Sequence, residues 1–104
     1  MEIGDLDEVL SAAEKWDAVL LDSLTLWVSA RDEPALPEFD QFLAGAGDLS
    51  VPLLLVSDEV GLGVVPESAA GRRFRDVLGL VNQRAAEVAE EVHLCIAGIS
   101  IRIK

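Results

Sequence analysis

Four apolar residues, Ala18 to Leu21, run into an acid, Asp22, with Ser23 and Thr25 close behind. In open parallel sheets, ligands bind beyond the C-terminal ends of the strands. A carboxylate there is where nucleotide-hydrolysing sheets place the acid that orients Mg²⁺, directly or through water. Mg²⁺ takes hard oxygen ligands and keeps several waters, so one or two carboxylates suffice. The competing reading is an acid that merely leads into the next helix. A second apolar run, Val51–Ser57, opens into Asp58-Glu-Val-Gly-Leu-Gly63. Asp58 and Glu59 put two acids at a strand end, and Gly61 and Gly63 let backbone approach a ligand. The alternative is an ordinary loop exit with solvated acids. No third glycine follows at the required distance and no helix starts there, so this is no dinucleotide fingerprint. Asp22, Asp58 and Glu59 together would also suit an Mg²⁺-dependent phosphohydrolase. Gly98, after a third apolar run, marks the remaining strand end.

Other reactive residue types are sparse. Arg72, Arg73 and Arg75 supply three of eight cations within one helical turn. They could meet phosphate, but pairing with Glu67, Asp76 and nearby acids is the expectation. Asn82-Gln83-Arg84 could hydrogen-bond a ligand or subunit, but exposed helix is the expectation. His93, the single histidine, is expected as a wholly or half-buried structural imidazole in a strand, and Cys95 on its opposite side, so that the two form no Cys–His pair. Trp16 and Trp27 are read as core or interface aromatics. No GxxxxGK[ST] occurs, so the chain carries no phosphate cradle of its own. One cysteine and one histidine without paired spacings exclude the common zinc sites and an internal disulfide.

The elements that must position these residues follow from periodicity. Leu6, Val9, Leu10 and Ala13 form one face of a helix over Leu6–Lys15, with acids first and Lys15 last, as the helix dipole prefers. A buried strand ending at Asp22 leads to a helix over Leu24–Ala30, with Ser23 placed as its N-cap. Arg31–Pro37, charged and holding two prolines, reads as a loop. Glu38–Ala44 reads as a short helix stopped by Gly45-Ala-Gly47. Pro52 opens the second buried strand, where it is tolerated. The longest helix spans about residues 68–90, with Phe74, Val77, Leu78, Val81, Ala85 and Val88 at helical spacing. Val92–Ala97 reads as a third buried strand and Ile99–Ile103 as a half-exposed, antiparallel last one. This order predicts an α/β fold, a mostly parallel sheet with helices on both faces.

Composition sets the outer limits. At 104 residues the chain suits one domain, burying roughly 60–70% of its unfolded surface. Nineteen acids against eight bases give a net charge of −11, which argues against gripping nucleic acid or an anionic membrane by bulk charge. With 51% apolar residues and a mean hydropathy of +0.36, disorder is excluded. No signal peptide is recognisable at the N-terminus and no apolar run is bilayer-length, so a cytoplasmic domain is expected. The high apolar content also predicts surfaces that expect a partner or more chain.

Longer segments carry a specific resemblance. VLLDSLTLWVS (19–29), LLLVSDEVGLGVVPES (53–68) and RRFRDVLGLVNQRAAEVAEEVHLCIAGISIRIK (72–104) resemble, in order and spacing, the C-terminal part of the bifunctional adenosylcobinamide kinase / adenosylcobinamide-phosphate guanylyltransferases of cobalamin biosynthesis. The resemblance implies a P-loop NTPase, RecA-like sheet of which residues 1–104 form a single partial domain lacking the N-terminal strands. It implies a cytoplasmic homo-oligomer, commonly a trimer; the charge and the short apolar runs are what argue against nucleic-acid partners and membrane insertion. Such enzymes phosphorylate the aminopropanol hydroxyl of adenosylcobinamide with ATP or GTP. They then transfer GMP from GTP, through a guanylated histidine, to give adenosylcobinamide-GDP. By position Asp22 resembles the acid that contacts nucleotide or its Mg²⁺, and Ser23, Thr25, Asp58, Glu59, Gly61 and Gly63 would line the site. The family's P-loop and guanylated histidine lie upstream of the matched region, so no catalytic residue is assigned here and His93 does not inherit the nucleophile's role. Asp58 stands where the family has Asn, which adds negative charge beside the site. The isolated chain is therefore expected to be inactive, the alternative being a non-catalytic interaction module derived from the family.

Overall fold

A computed structural model describes residues 6–31 and 35–104. In chain order the elements are α1 (Leu6–Ala13), β1 (Val19–Asp22), α2 (Leu24–Arg31), α3 (Ala35–Ala46), β2 (Leu53–Val56), α4 (Ala69–Val88), β3 (His93–Ile96) and β4 (Ile99–Arg102). The α/β class expected from the sequence is what forms.

The core is made by helices. Leu6 and Val9 of α1, Leu24, Trp27 and Val28 of α2, Ala35, Phe39 and Phe42 of α3, and Leu78 and Val81 of α4 form one buried cluster. Phe39 stacks obliquely between Trp27, at 6.1 Å between ring centroids, and Phe42, at 5.9 Å. α3 stops at Ala46, before Gly47 and so within the foreseen Gly45-Ala-Gly47 segment, with Gly45 itself still helical. A Cβ there would stand 2.6 Å from Leu10 Cδ1, so the missing side chain lets α1 approach α3. Two expectations at α3 and α1 are corrected. Ala35–Pro37, read as loop, are helical: Pro37 sits in the first turn, where its absent N–H has no intrahelical acceptor to lose. Arg31, at the other end of the presumed loop, still belongs to α2, while residues 32–34 lie outside the described residues. Conversely α1 stops at Ala13, short of Lys15.

β1 and β2 run parallel, pairing Val19 with Leu53 through Asp22 with Val56. Val19, Leu21, Leu53 and Leu55 face the helical core. The opposite face is bare, with Leu20 63% and Leu54 53% exposed. Helices on both faces, the arrangement expected for wholly apolar strands, are therefore not found among the described residues. The apolar run at β1 includes a second face that no described residue covers.

The mostly parallel sheet is also corrected. β3 does not join β1 and β2 but pairs antiparallel with β4, His93 opposite Arg102 and Cys95 opposite Ser100. The antiparallel last strand was expected; a buried β3 was not borne out. The hairpin turns through Ala97 and Gly98, both with positive φ, +51° and +78°, the requirement of a two-residue primed turn. Leu94, Ile96, Ile99 and Ile101 share one side, and the last three are at least half exposed. Lys104 fastens the hairpin to α4 by donating from Nζ to the carbonyls of Ala86 (2.8 Å) and Glu87 (3.0 Å). These orphan carbonyls of the helix C-terminus favour a cation. No helix among the described residues is long and apolar enough to cross a membrane.

Candidate functional site

Because β1 and β2 are parallel, their C-terminal ends open at the same edge. Asp22 ends β1 on the bare face, beside Val56 of β2. The Asp22–Ser23 peptide is cis. Ser23 is the N-cap foreseen for α2: its Oγ accepts from Leu26 N at 3.2 Å, and its carbonyl from Trp27 N at 3.2 Å. This satisfies a donor that the first helical turn leaves open.

The exit of β2 is held from two sides. Thr25 Oγ1, on α2, accepts from Asp58 N at 3.0 Å. Asn82, on α4, accepts from Ser57 Oγ at 2.6 Å and donates through Nδ2 to Asp58 O at 3.0 Å. A half-buried amide thus spends both of its polar ends on one loop, and two helices fix where Asp58 begins. Ser57 opens the strand-end segment that the sequence singles out, whereas Asn82 is the residue that the sequence reading set aside as exposed helix. The available signal was an asparagine beside Val81, a core position, where a solvated face would be broken.

Among the described residues, the Asp22 and Asp58 carboxylates have neither a hydrogen bond nor an ion pair. Both are exposed; Asp22 ends β1, and Asp58 stands in the loop that leaves the neighbouring β2. Glu59 turns back instead, accepting from Gly61 N at 2.8 Å through Oε1. Gly61 is tight against that carboxylate, whereas Gly63 has no atom within 4 Å of an added Cβ. Asp22, Ser23, Thr25 and Asp58 therefore converge at one strand edge. Glu59, Gly61 and Gly63 lie on the loop leading away from it.

The donor chemistry fits Mg²⁺ only in part. Asp22 and Asp58 supply hard carboxylate oxygens, but no cluster of three or more His, Cys, Asp or Glu side chains capable of holding a metal exists among the described residues. A divalent ion here would need oxygens from waters and from a phosphate group to complete its coordination.

Residues elsewhere sort differently. Arg72 Nη1 donates to the carbonyls of Pro66 (3.1 Å) and Glu67 (2.9 Å), tying down the loop before α4, so it meets the backbone of Glu67 and not its carboxylate. Arg75 pairs with Asp76 as expected. Arg84 reaches both carboxylate oxygens of Asp40, at 2.7 and 2.8 Å, and so bridges α4 to α3. His93 is not wholly buried: its side chain is 45% exposed and its Nε2 lies 3.0 Å from Glu91 Oε2. Cys95 is also exposed and, two positions along the same strand, shares the side of His93 instead of opposing it. Both belong to the other sheet, away from the β1–β2 edge. Trp27 is buried as expected, with the Arg31 guanidinium 5.4 Å from its ring centroid, whereas Trp16 is 58% exposed and outside the core.

The sequence of this chain matches a family model described as cobinamide kinase / cobinamide phosphate guanyltransferase over residues 1–103. It is similar to the bifunctional adenosylcobalamin biosynthesis protein CobU of Salmonella typhimurium, with 43% identity over 79 residues, 75% of this chain and 44% of the relative. The protein of the same name from Escherichia coli is 40% identical over 75 residues, 72% of this chain and 41% of the relative. The bifunctional adenosylcobalamin biosynthesis protein CobP of Pseudomonas aeruginosa is 37% identical over 99 residues, 90% of this chain and 57% of its own length. The chain spans about half the length of the curated relatives it matches.

Proposed function

The chain belongs to the cobinamide kinase / cobinamide phosphate guanyltransferase family, and from that premise we propose that it supplies the C-terminal portion of such an enzyme's nucleotide-binding domain. In this reading the complete enzyme phosphorylates adenosylcobinamide with ATP or GTP and then transfers GMP from GTP to give adenosylcobinamide-GDP. The carrying observation is the β1–β2 edge, where two unpaired carboxylates and a clamped loop stand at the place where a parallel sheet binds ligands.

In that role Asp22 is the acid that faces a nucleotide and its Mg²⁺, with Asp58 beside it. When bound, Mg²⁺ would neutralise phosphate charge and hold the phosphates in one orientation. The chain's own residues do the positioning. Ser23 caps α2 and so fixes the direction in which β1 delivers Asp22. Thr25 and Asn82 hold the backbone of Asp58 from opposite helices. No GxxxxGK[ST] is present to cradle phosphates, so positioning and charge stabilisation of a transferred phosphoryl group are incomplete here. We therefore read the chain as inactive alone and competent with the family's N-terminal nucleotide-binding part. Assembly as a homo-oligomer belongs to the same reading.

The test is turnover of adenosylcobinamide with GTP by the chain alone and by the chain mixed with the N-terminal part of the P. aeruginosa relative. Turnover only in the mixture, reduced at least a hundredfold by Asp22→Asn, is the expected result. Turnover by the chain alone would reject the division of labour. A second reading, a non-catalytic interaction module, draws on the bare apolar face at Leu20 and Leu54. Stable capture of that N-terminal part without any turnover would favour it.

A further inference from the structure

We propose that Thr25 contacts the ligand of the β1–β2 edge: its hydroxyl accepts from Asp58 N and gives its own proton to a phosphoryl oxygen. The proposal rests on the nucleotide reading above and adds to it a donor that this chain itself supplies. Thr25 Oγ1 accepts from Asp58 N at 3.0 Å, and among the described residues it donates to nothing. A hydroxyl carries one donor hydrogen besides its acceptor lone pairs. That hydrogen is left over.

The place of Thr25 in its helix is the reason. A helical Ser or Thr can give its proton to a carbonyl three or four residues back. Ser11 does so in α1, to Asp7 O and Glu8 O, and Ser29 does so in α2, to Leu26 O at 2.7 Å. Thr25 is the second residue of α2, so no earlier helical turn offers it a carbonyl. The residues three and four back, Asp22 and Leu21, belong to β1. Ser23 Oγ is likewise an acceptor, from Leu26 N, but it caps its own helix, whereas Thr25 joins the two strand exits.

The donor is fixed before any ligand arrives. A β-branched side chain is stiff at χ1, Ser23 caps the turn that carries it, and Asn82 holds Asp58 through its carbonyl at 3.0 Å. Engaging such a group sacrifices little freedom. Charge selects what it engages. Asp22, Asp58 and Glu59 stand at or beside this edge and repel a bare anion. The cations nearest along the chain are engaged elsewhere: Arg31 by Glu38, Arg72 by the Pro66 and Glu67 carbonyls, and Arg75 by Asp76. Arg73 is partnered too. A phosphoryl group therefore suits this edge when it brings its own counter-cation, as the magnesium salt of a nucleotide does. Thr25 offers that group a neutral donor between the two strand exits.

The test uses this chain, isotope-labelled in its methyl and amide groups, mixed with the unlabelled N-terminal part of the P. aeruginosa relative. Magnesium GTP is titrated onto mixtures made with wild type, Thr25→Ser and Thr25→Val, each chain with its thermal midpoint, and followed by nuclear magnetic resonance. The expected result is a saturable shift of the wild-type Thr25 methyl and Asp58 amide signals. Affinity should be about tenfold weaker in Thr25→Val and within about twofold of wild type in Thr25→Ser. Guanosine, which lacks phosphate, should bind all three equally. Equal affinity of wild type and Thr25→Val for magnesium GTP, or a Thr25 methyl unmoved on binding, overturns the inference, while GTP turnover by the mixture upholds the family reading. Thr25→Ser as weak as Thr25→Val also overturns it, because the hydroxyl is then not the cause. Guanosine weakened as much as magnesium GTP by Thr25→Val overturns it as a loss of shape. A mixture that neither binds nor turns over GTP overturns the family reading, and the inference falls with it.

Discussion

Replacing Asn82 by Ala should loosen the exit of β2 by an amount that the geometry bounds. The change removes two hydrogen bonds, from Ser57 Oγ at 2.6 Å and to Asp58 O at 3.0 Å. Each is worth about 0.5–1.5 kcal/mol net, or about 1–3 kcal/mol together. Alanine is the better helix former, which returns roughly 0.5 kcal/mol. The expected loss is about 1–2 kcal/mol, which corresponds to a fall of roughly 4–8 °C in Tm per kcal/mol for a domain of this size. The assay is urea denaturation followed by the fluorescence of buried Trp27, for Asn82→Ala, Ser57→Ala and the double variant. Because Ser57 shares one bond with Asn82, the double variant should be less destabilised than the two singles added, by about 1 kcal/mol. Strict additivity, or an Asn82→Ala chain as stable as wild type, would show that α4 does not clamp this loop.

Other expectations address separate parts of the fold. Ser50 donates from both its backbone N and its hydroxyl to the Glu14 carboxylate, which lowers the Glu14 pKa from its ordinary 4.5. The charged form is favoured in the folded state, so this clip stabilises above the unfolded value and is lost as pH falls through the lower folded one. In acid denaturation, Glu14→Gln should flatten the pH dependence of stability just below 4.5; an unchanged slope refutes the clip. Ala97 holds φ at +51°, a conformation costing an L-residue roughly 1–2 kcal/mol, so Ala97→Gly should stabilise the hairpin and slow its amide exchange, while Gly98→Ala should do the reverse. Phe39→Ala removes a fully buried ring between Trp27 and Phe42 and should cost about 3–5 kcal/mol, read as a large shift in the urea midpoint.

How far the sequence could be read depended on whether a signal was local. Ser23 as an N-cap, the helical spacing through Phe74, Leu78 and Val81, and the strand-ending Asp22 are local, and the structure has them. Pro37 misled because a proline in the first turn resembles a proline in a loop. Gly45 was legible as part of the segment that stops α3 but not as the place that admits Leu10. The apolar runs at β1 and at Val92–Ala97 report what a strand can face, not what packs on it, so Leu20 and Ile96 are expected inside and lie exposed among the described residues. Asn82 was legible only as a polar residue next to a core position. That it would meet Ser57 and Asp58 depends on how α4 returns over β2, which spacing along the chain does not encode.

The Lys104 clasp has a consequence for how the molecule comes apart. No residue from Val92 to Lys104 is fully buried, and what ties this stretch back to α4 includes two exposed hydrogen bonds to Ala86 and Glu87. The core cluster, by contrast, draws on all four helices. The hairpin can therefore open as its own cooperative unit at a small fraction of the global unfolding free energy. Its amides should exchange on a fast, separate timescale, and neutralising Lys104 should speed them while leaving those of α3 and the middle of α4 unmoved.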